Sequence, residues 1–420
     1  MLSLCFYKCS STKNIAPSQS VLVREVFLKN GTPLKRDLAK QLSVSPPNAQ
    51  VFGIPVKLHI YNLAKENPDS LFNDWLNKKP KRFERLTKIY SEKQVDQLKK
   101  YKRNFNFWLK KSGEPPSIFF ENNSSSTSKR LEQYYKNKGF FNTSVLTSID
   151  TIAHQKVNVT YQVETGESFV VDQKTENIAS ADLDSIYQKN SENSFIKEGE
   201  VFEVENFNKE RDRLVKLFRN NGIENFQQKS IRFKAYLDSL GDDLKIPIGI
   251  VIQNEAKRDQ NNIVEIPYVV QKVNKIKLFI EDPNKEFSVY TDTIQFNSLT
   301  ILSDGKLNYK PKTLASGVFI KEGLPYSDQD RSNTYRYFSD LRIFKYPNID
   351  FSTDPKDSLG LISSIYLTPR EPFSVGFDLD LSHSNIQFFG ISLGSSVISR
   401  NVFKGTETLE LGLKGTIGAS

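Results

Sequence analysis

From Phe373 to the last residue, apolar and small or polar side chains alternate almost without interruption. Phe373, Val375, Phe377, Leu379 and Leu381 are spaced by two, with Ser374, Gly376, Asp378 and Asp380 between them. Leu409, Leu411, Leu413 and Ile417 repeat the pattern. Successive side chains of a strand point to opposite faces, so these segments predict strands with one greasy and one wet face. Runs of about ten such residues, separated by polar turns, mark a transmembrane β-barrel. A soluble antiparallel sheet shows the same alternation over a dry core. The alternation alone does not choose between the two, and the upstream residues do.

Composition narrows the field. The chain has 420 residues, room for several domains, and with 38% hydrophobic and 12% aromatic residues it is that of a folded protein. No run approaches the roughly 18 apolar residues of a membrane helix. The nearest, Val51 to Leu63, contains Pro55, Lys57, His59 and Asn62 and reads as a buried helix. Any membrane span must therefore come from strands. Residues 1–140 hold 26 Lys and Arg against 11 Asp and Glu, a net of +15, so the remainder is net −6 within a total of +9. A basic N-terminal third suits phosphates or a solvated helix surface. No zinc-ligand spacing, aromatic RNA-binding strand or helix-turn-helix pattern is present, so no nucleic-acid partner is expected.

Cys5 and Cys9 are the two cysteines, too close together to staple a fold. Leu2, Leu4 and Phe6 lead to Cys9-Ser10-Ser11-Thr12 and a polar spacer, similar to the end of a bacterial lipoprotein signal with Cys9 as the acylated residue. The apolar stretch is shorter than usual and Lys8 stands where a small residue is expected.

Val21 to Leu28 predicts a strand closed by Asn30-Gly31, and Pro33 to Leu42 a helix. Residues 51–111 predict a helical insertion whose aromatics, among them Trp75, Tyr101, Phe105 and Trp108, pack on a neighbour. Ser112-Gly113-Glu114-Pro115-Pro116 breaks the chain. Ser125 to Lys138 is then a helix, Gly139-Phe140-Phe141 turns into a strand ending near Ile149, and Val157, Val159, Tyr161 and Val163 alternate in a second strand.

Beyond this point the chain repeats itself. Phe195-Ile196-Lys197-Glu198-Gly199 recurs letter for letter as Phe319-Ile320-Lys321-Glu322-Gly323. Each copy precedes an amphipathic helix, with Val204, Phe207, Arg211, Leu214 and Phe218 on one stripe and Thr334, Tyr337, Phe338 and Leu341 on the other. Each helix gives way to two strands, 227–238 and 263–273 in the first copy, 346–351 and 359–367 in the second. The shared order points to duplication of one α+β module, helices on one face of a mixed sheet.

On these residues the chain resembles the POTRA-plus-barrel proteins, the BamA/TamA-like outer-membrane assembly family, and within it the TamA-like lipoproteins of Bacteroidota. The resemblance rests on Cys9-Ser10-Ser11-Thr12, on Gly113-Glu114-Pro115-Pro116 leading into Lys138-Gly139-Phe140-Phe141, and on the repeated turn before each helix. It also rests on Arg400-Asn401-Val402-Phe403-Lys404-Gly405-Thr406-Glu407, which looks like the element between early barrel strands, with Arg400, Asn401, Gly405 and Glu407 as its marked positions. The implied fold class is α+β, tandem β-α-α-β-β POTRA domains followed by the first strands of an outer-membrane barrel.

The resemblance divides the chain into a signal remnant and linker (1–20), a POTRA-like region with the helical insertion (21–112), a POTRA-like module (113–166), two POTRA modules (167–274 and 275–370) and the start of a barrel (371–420). Three barrel strands fit there, 373–382, 386–399 and 408–418. Three strands leave two raw edges in lipid, so a fragment or prematurely ended product is expected.

The family implies POTRA domains in the periplasm, a barrel in outer-membrane lipid, unfolded outer-membrane proteins as clients and an inner-membrane-anchored TamB-like partner. Lys156, Asn158, Thr160 and Gln162 are the expected client-facing sheet edge, and Phe373, Val375, Phe377, Leu379 and Leu381 the strand bordering the barrel seam. A non-insertase periplasmic scaffold and a POTRA-barrel secretion transporter are the alternative readings.

An enzyme is not expected, and neither is a cofactor or a metal. His59, His154 and His383 are isolated. Gly390-Ile391-Ser392-Leu393-Gly394 matches a hydrolase nucleophile elbow, but it lies in an alternating strand with no histidine after it.

Overall fold

The computed structural model describes residues 12–13, 15–79, 81–152, 155–236, 244–259, 262–282, 289–382 and 389–419. Contacts divide the chain into two compact units, the first in the main Met1–Val170 with Val201–Val204, the second in the main residues 171–420.

The first unit opens with β1 (Val21–Lys29), turned at Asn30-Gly31, where both residues take positive φ, into the two-residue β2 (Thr32–Pro33). Helix α1 (Arg36–Leu42) is followed by four more, α2 (Val56–Leu63), α3 (Pro68–Asn77), α4 (Arg82–Ile89) and α5 (Glu92–Ser112). Then come α6 (Glu121–Asn137), β3 (Ser144–Ile152) and β4 (Lys156–Glu164).

The sheet runs β2-β1-β4-β3, with β1 parallel to β4 from Val21 opposite Lys156 to Lys29 opposite Val163. Leu22, Phe27, Leu42, Leu131, Tyr135, Val157, Val159, Tyr161 and Val163 form one core. The regions 21–112 and 113–166, expected as separate domains, are therefore one β-α-α-β-β module. Its first strand finds its partner more than a hundred residues later, which no local pattern reveals.

Within this core Glu25 accepts from Ser43 Oγ at 2.6 Å, and the Tyr161 hydroxyl lies 3.3 Å from Glu25 and 3.0 Å from Ser124 Oγ. One polar knot thus ties α1, β1, β4 and α6 together. Burial pushes the Glu25 carboxyl above its usual range, against the hydrogen bonds from Ser43 and Tyr161.

Helices α2–α5 are an insertion between α1 and α6. Among its described residues Leu58, Ala64, Phe72, Val95 and Leu109 are the buried apolar ones. Gly113 closes it: the Glu114 N–H reaches Lys57 O at 3.0 Å, and a Cβ at Gly113 would stand 2.5 Å from the Tyr61 nitrogen. The aromatics expected to pack on a neighbour do not. Trp75, Tyr101, Phe105 and Trp108 are 42–69% exposed.

The second unit begins with β5 (Val170–Ile178), α7 (Ala181–Gln188), α8 (Val204–Asn220), β6 (Ile231–Ala235) and β7 (Lys245–Ile252), in a sheet ordered β5-β7-β6. The strand expected over 263–273 is two different things. Its start lies in the exposed hairpin of β8 (Glu255–Asp259) and β9 (Asn262–Ile266), and its end in β10 (Lys272–Ile280) of the next module. The central strand is β7, where Ile246, Ile248, Ile250 and Ile252 are all fully buried. Its lack of strong polar alternation concealed it. A boundary at 274 would cut through β10.

The following module adds β11 (Tyr290–Phe296), β12 (Leu299–Asp304), α9 (Pro311–Ser316), α10 (Asp328–Asp340), β13 (Phe344–Asp354) and β14 (Asp357–Pro369). Its sheet runs β11-β12-β10-β14-β13, with β10 parallel to both β12 and β14. Leu278, Ile301, Leu314, Phe338, Phe344, Ile365 and Leu367 anchor its core.

The repeated pentapeptide now has a physical explanation. Ile196 and Ile320 plug the two cores, and Gly199 and Gly323 turn the chain at φ +80° and +79°. The Gly199 N–H donates to Val171 O (2.8 Å) and the Gly323 N–H to Val273 O (2.7 Å), so each turn pairs with the first strand of its module. The N–H of Phe195 donates to the buried Glu210 carboxylate (2.9 Å) and that of Phe319 to Thr334 Oγ1 (3.0 Å). Acceptor and donor are 15 residues apart in both copies. Glu210, not Arg211, is thus the buried fourth member of the α8 stripe, neutralised by Arg213 at 2.7 Å.

The helix-ending glycines match as well. Gly139 and Gly222 take φ +86° and +101°, and their carbonyls accept from Phe169 N and Gln271 N, both at 2.9 Å.

Thr334→Val keeps the volume and orphans the Phe319 N–H, so urea unfolding should show a loss of about 1–3 kcal/mol. Glu210→Ala strands Arg213 as well as the Phe195 N–H and should cost more, about 3–5 kcal/mol.

Candidate functional site

A sheet can accept a further strand only along a free edge, and the topology decides which strands have one. Strand β4 does not, because β1 occupies one side and β3 the other. Lys156, Asn158, Thr160 and Gln162 are therefore not a client-facing edge. They lie on the face turned away from the core residues Val157, Val159, Tyr161 and Val163. Alternation identified their face correctly, but it carries no information about neighbouring strands.

Among the described residues the edge strand beside them is β3. It pairs with β4 over nine residues without a register shift, from Ser144 opposite Glu164 to Ile152 opposite Lys156. It contains no Pro, Lys or Arg, and Leu146, Ile149 and Ile152 are exposed. The other outer strands differ. β13 is broken by a register shift at Tyr346-Pro347, where Tyr346 takes positive φ. β11 carries a shift at Thr291, and β6 has five residues with Arg232 and Lys234 among them. β5 presents Asp172, Lys174 and Glu176. Bulges, prolines and charges are the usual means of blunting an edge, and β3 has none of them except Asp150.

The second candidate surface is the sheet of β15 (Phe373–Ser382), β16 (Phe389–Arg400) and β17 (Thr408–Ala419), all antiparallel. Strands of 10, 12 and 12 residues match the length of a tilted transmembrane strand, about 9–11 residues. Residues 386–388 of the expected second strand lie outside the described residues.

Register places Val375 opposite Val397 and Leu411, and Leu379 opposite Leu393, on one face. Phe373, Val375, Phe377, Leu379 and Leu381 are 62–82% exposed there, and Leu409, Leu411, Leu413 and Ile417 53–81%. The opposite face is polar. Lys414 Nζ reaches over Gly394 to Asp380 at 2.7 Å, and Ser392 Oγ meets Thr416 Oγ1 at 2.9 Å. Among the described residues β15 and β17 each pair on one side only.

The β16–β17 turn holds the marked positions Arg400, Asn401, Gly405 and Glu407 together. Asn401, Lys404 and Thr406 all take positive φ, a conformation side-chain-bearing residues adopt only when held there. The Glu407 carboxylate accepts from the N–H groups of Phe403 and Gly405, and Asn401 Oδ1 from Thr406 N at 3.1 Å. Burial works against the Glu407 charge, but the Phe403, Glu407 and Gly405 N–H groups outweigh it and hold the carboxyl below its ordinary range. The turn in turn grips the preceding module. Asn401 Nδ2 donates to Asn308 O (2.8 Å), and the Lys310 N–H to Lys404 O (2.8 Å). Arg400 reaches Ser374 Oγ at 2.6 Å and Glu371 O at 3.0 Å. Asn308 and Lys310 carried no sequence signal of this role.

Cys9, His154 and His383 lie outside the described residues. Among the described residues no group of three or more His, Cys, Asp or Glu could hold a metal ion. Ser392 of the elbow-like motif sits inside β16, with no strand-to-helix turn to expose it. No helix among the described residues is long and apolar enough to cross a membrane, which says nothing about crossing by strands.

No protein-family model matches the chain, and no curated protein matches it in sequence. Solved structures do align with it. BamA from Haemophilus ducreyi lacking POTRA domains 1–3 aligns over 60% of this chain and 37% of its own, at 14% identity and a TM-score of 0.34. CdiB from Acinetobacter baumannii aligns over 60% of this chain and 40% of its own, at 11% identity and a TM-score of 0.28. POTRA domains 1–3 of the periplasmic domain of Omp85 from Anabaena align over 84% of this chain and 96% of their own, at 8% identity and a TM-score of 0.23. The chain thus spans well under half the length of the BamA and CdiB chains it aligns with.

The depressed Glu407 carboxyl makes the turn acid-sensitive. A carboxyl whose folded value is lowered adds stability above its unfolded value, near 4.5, and loses it as the pH falls through the folded value. Glu407→Gln should therefore lower the urea midpoint at neutral pH, and the gap to the parent protein should narrow as the pH falls below about 4.5.

Proposed function

We propose that this chain is part of an outer-membrane protein assembly or translocation component, its β-α-α-β-β modules in the periplasm and β15–β17 in the bilayer. The observation that carries this reading is the uncovered apolar face of β15–β17. Three strands of membrane-spanning length present one greasy face to solvent and a polar, salt-bridged face behind it. A soluble sheet would cover that face with helices or a second sheet, as the upstream modules do. Lipid is the solvent that suits it.

In this reading an unfolded client strand adds to the free edge of β3 through main-chain hydrogen bonds, with little demand on its sequence. β15 is then the strand beside which a client enters the membrane, with Phe373, Val375, Phe377, Leu379 and Leu381 turned to lipid. The turn from Arg400 to Glu407 fastens these strands to the module that precedes them. Acylation of Cys9 and an inner-membrane-anchored TamB-like partner belong to the same reading.

Photocrosslinkers at Ser148 and Asp150 on β3 should capture unfolded outer-membrane proteins, whereas Asn158 and Thr160 on the interior strand β4 should not. Equal yields from both strands, or none from β3, would overturn the edge assignment. In a version of the chain that completes a closed barrel, Val375→Pro or Phe377→Pro removes a ladder donor from β15. Client insertion by that version should then fall, and normal insertion would remove β15 from the mechanism.

A further inference from the structure

The insertion α2–α5 concentrates the positive charge of the chain. Residues 56–112 hold 15 Lys and Arg against 6 Asp and Glu, a net of +9, which equals the net charge of the whole protein. Along α5, Leu98, Tyr101, Phe105 and Trp108 are 41%, 69%, 60% and 54% exposed. Spacings of three, four and three put them on one stripe about 15 Å long, beside the buried stripe of Val95 and Leu109. Phe105 and Trp108 stack on each other at 5.7 Å. Phe83, Ile89 and Tyr90, at α4 and its end, are exposed too.

Cations lie over the two rings of α3. Lys102 Nζ lies 5.1 Å from the Phe72 ring and 4.9 Å from that of Trp75, and Arg82 stands 4.7 Å over Trp75. Lys93, Lys100 and Lys111 are exposed, roughly a third of a turn round α5 from the aromatic stripe.

We infer that this insertion is a docking surface for an anionic lipid bilayer. Trp, Tyr and Phe beside Lys and Arg are the side chains that settle at a membrane–water interface, rings at headgroup depth and cations on phosphates. An apolar stripe without charge would equally suit a second copy of the chain, but two insertions of net +9 repel each other. A surface of opposite charge with an apolar layer beneath it answers both features at once, and each exposed Lys adds about 1 kcal/mol of attraction to it. This inference does not rest on the outer-membrane reading of β15–β17.

The test uses a reporter the sequence provides. The chain has two Trp, Trp75 and Trp108, and both lie in the insertion, so intrinsic Trp fluorescence reads this surface and is blind to β15–β17. The full chain, held in phosphatidylcholine nanodiscs that cover the apolar face of β15–β17, is titrated with vesicles of phosphatidylglycerol or of phosphatidylcholine. Phosphatidylglycerol vesicles should shift the emission to the blue, an effect reversed by high salt, and phosphatidylcholine vesicles should not. Lys100→Ala and Lys111→Ala should each weaken vesicle affinity about fivefold. The double variant Tyr101→Ser, Phe105→Ser changes only exposed side chains and should abolish most of the shift. Four results would overturn the inference: no shift with phosphatidylglycerol, an equal shift with phosphatidylcholine, a vesicle-free shift that grows with protein concentration, or an equal shift with polyglutamate. The third would assign the stripe to self-association and the fourth to an acidic polypeptide.

Discussion

Each module is closed by one long-range event, the hydrogen bonding of its first strand to its last. β1 pairs with β4, β5 with β7 and β10 with β14. β1 runs parallel to β4 and β10 to β14, and a parallel pair cannot be joined by a hairpin, so the chain must cross over the sheet between the two strands. The crossover supplies the helices, and the helices supply the core. Everything else hangs on that pairing, including what the modules tolerate. An insertion within the crossover lengthens a loop whose closure cost grows only slowly with length. The first module accommodates four helices there, and the third accommodates the hairpin β11–β12.

The same pairing decides where another strand could be added. Because the last strand returns to the first, it becomes interior, and the strand before it is left at the edge. That places β3, β6 and β13 at edges of their sheets. β13 is blunted by a bulge and Pro347, and β6 is short and basic. β3 is regular over its full length. Apart from Asp150 it carries none of these protections. The sheet β15–β17 presents the complementary case, with two unpaired sides among the described residues and a face that water does not suit.

Much of this was legible in the residues. The barrel-like strands 373–382 and 408–418 coincide with β15 and β17 to within a residue, because period-two alternation over ten residues is a strong local signal. The pentapeptide repeat correctly marked two equivalent turns, each fixed by an isoleucine plug and a glycine at positive φ. Misreadings arose wherever the decisive partner was remote. Glu210 was passed over for Arg211 because its acceptor role depends on Phe195, 15 residues upstream. β7 does not stand out because Pro247, Gly249 and Val251, not polar residues, separate its buried isoleucines. The helical spacing of the α5 aromatics suggests packing on a neighbour, yet spacing cannot say whether a stripe meets a neighbour or solvent.

The sequence by itself determined which residues share a face, where turns must fall and which segments are helical, since these depend on bond geometry and on side chains a few positions apart. It also determined the charge of the insertion and the greasy face of the closing strands. Only the tertiary structure decided that 21–112 and 113–166 are one module, that β4 is interior, and that among the described residues β3 has a free side and the aromatic stripe of α5 is uncovered. The first of these depends on β1 pairing with β4 across more than a hundred residues, and alternation along a strand is the same whichever neighbour it has; the last depends on what packs over a helix, which spacing does not record.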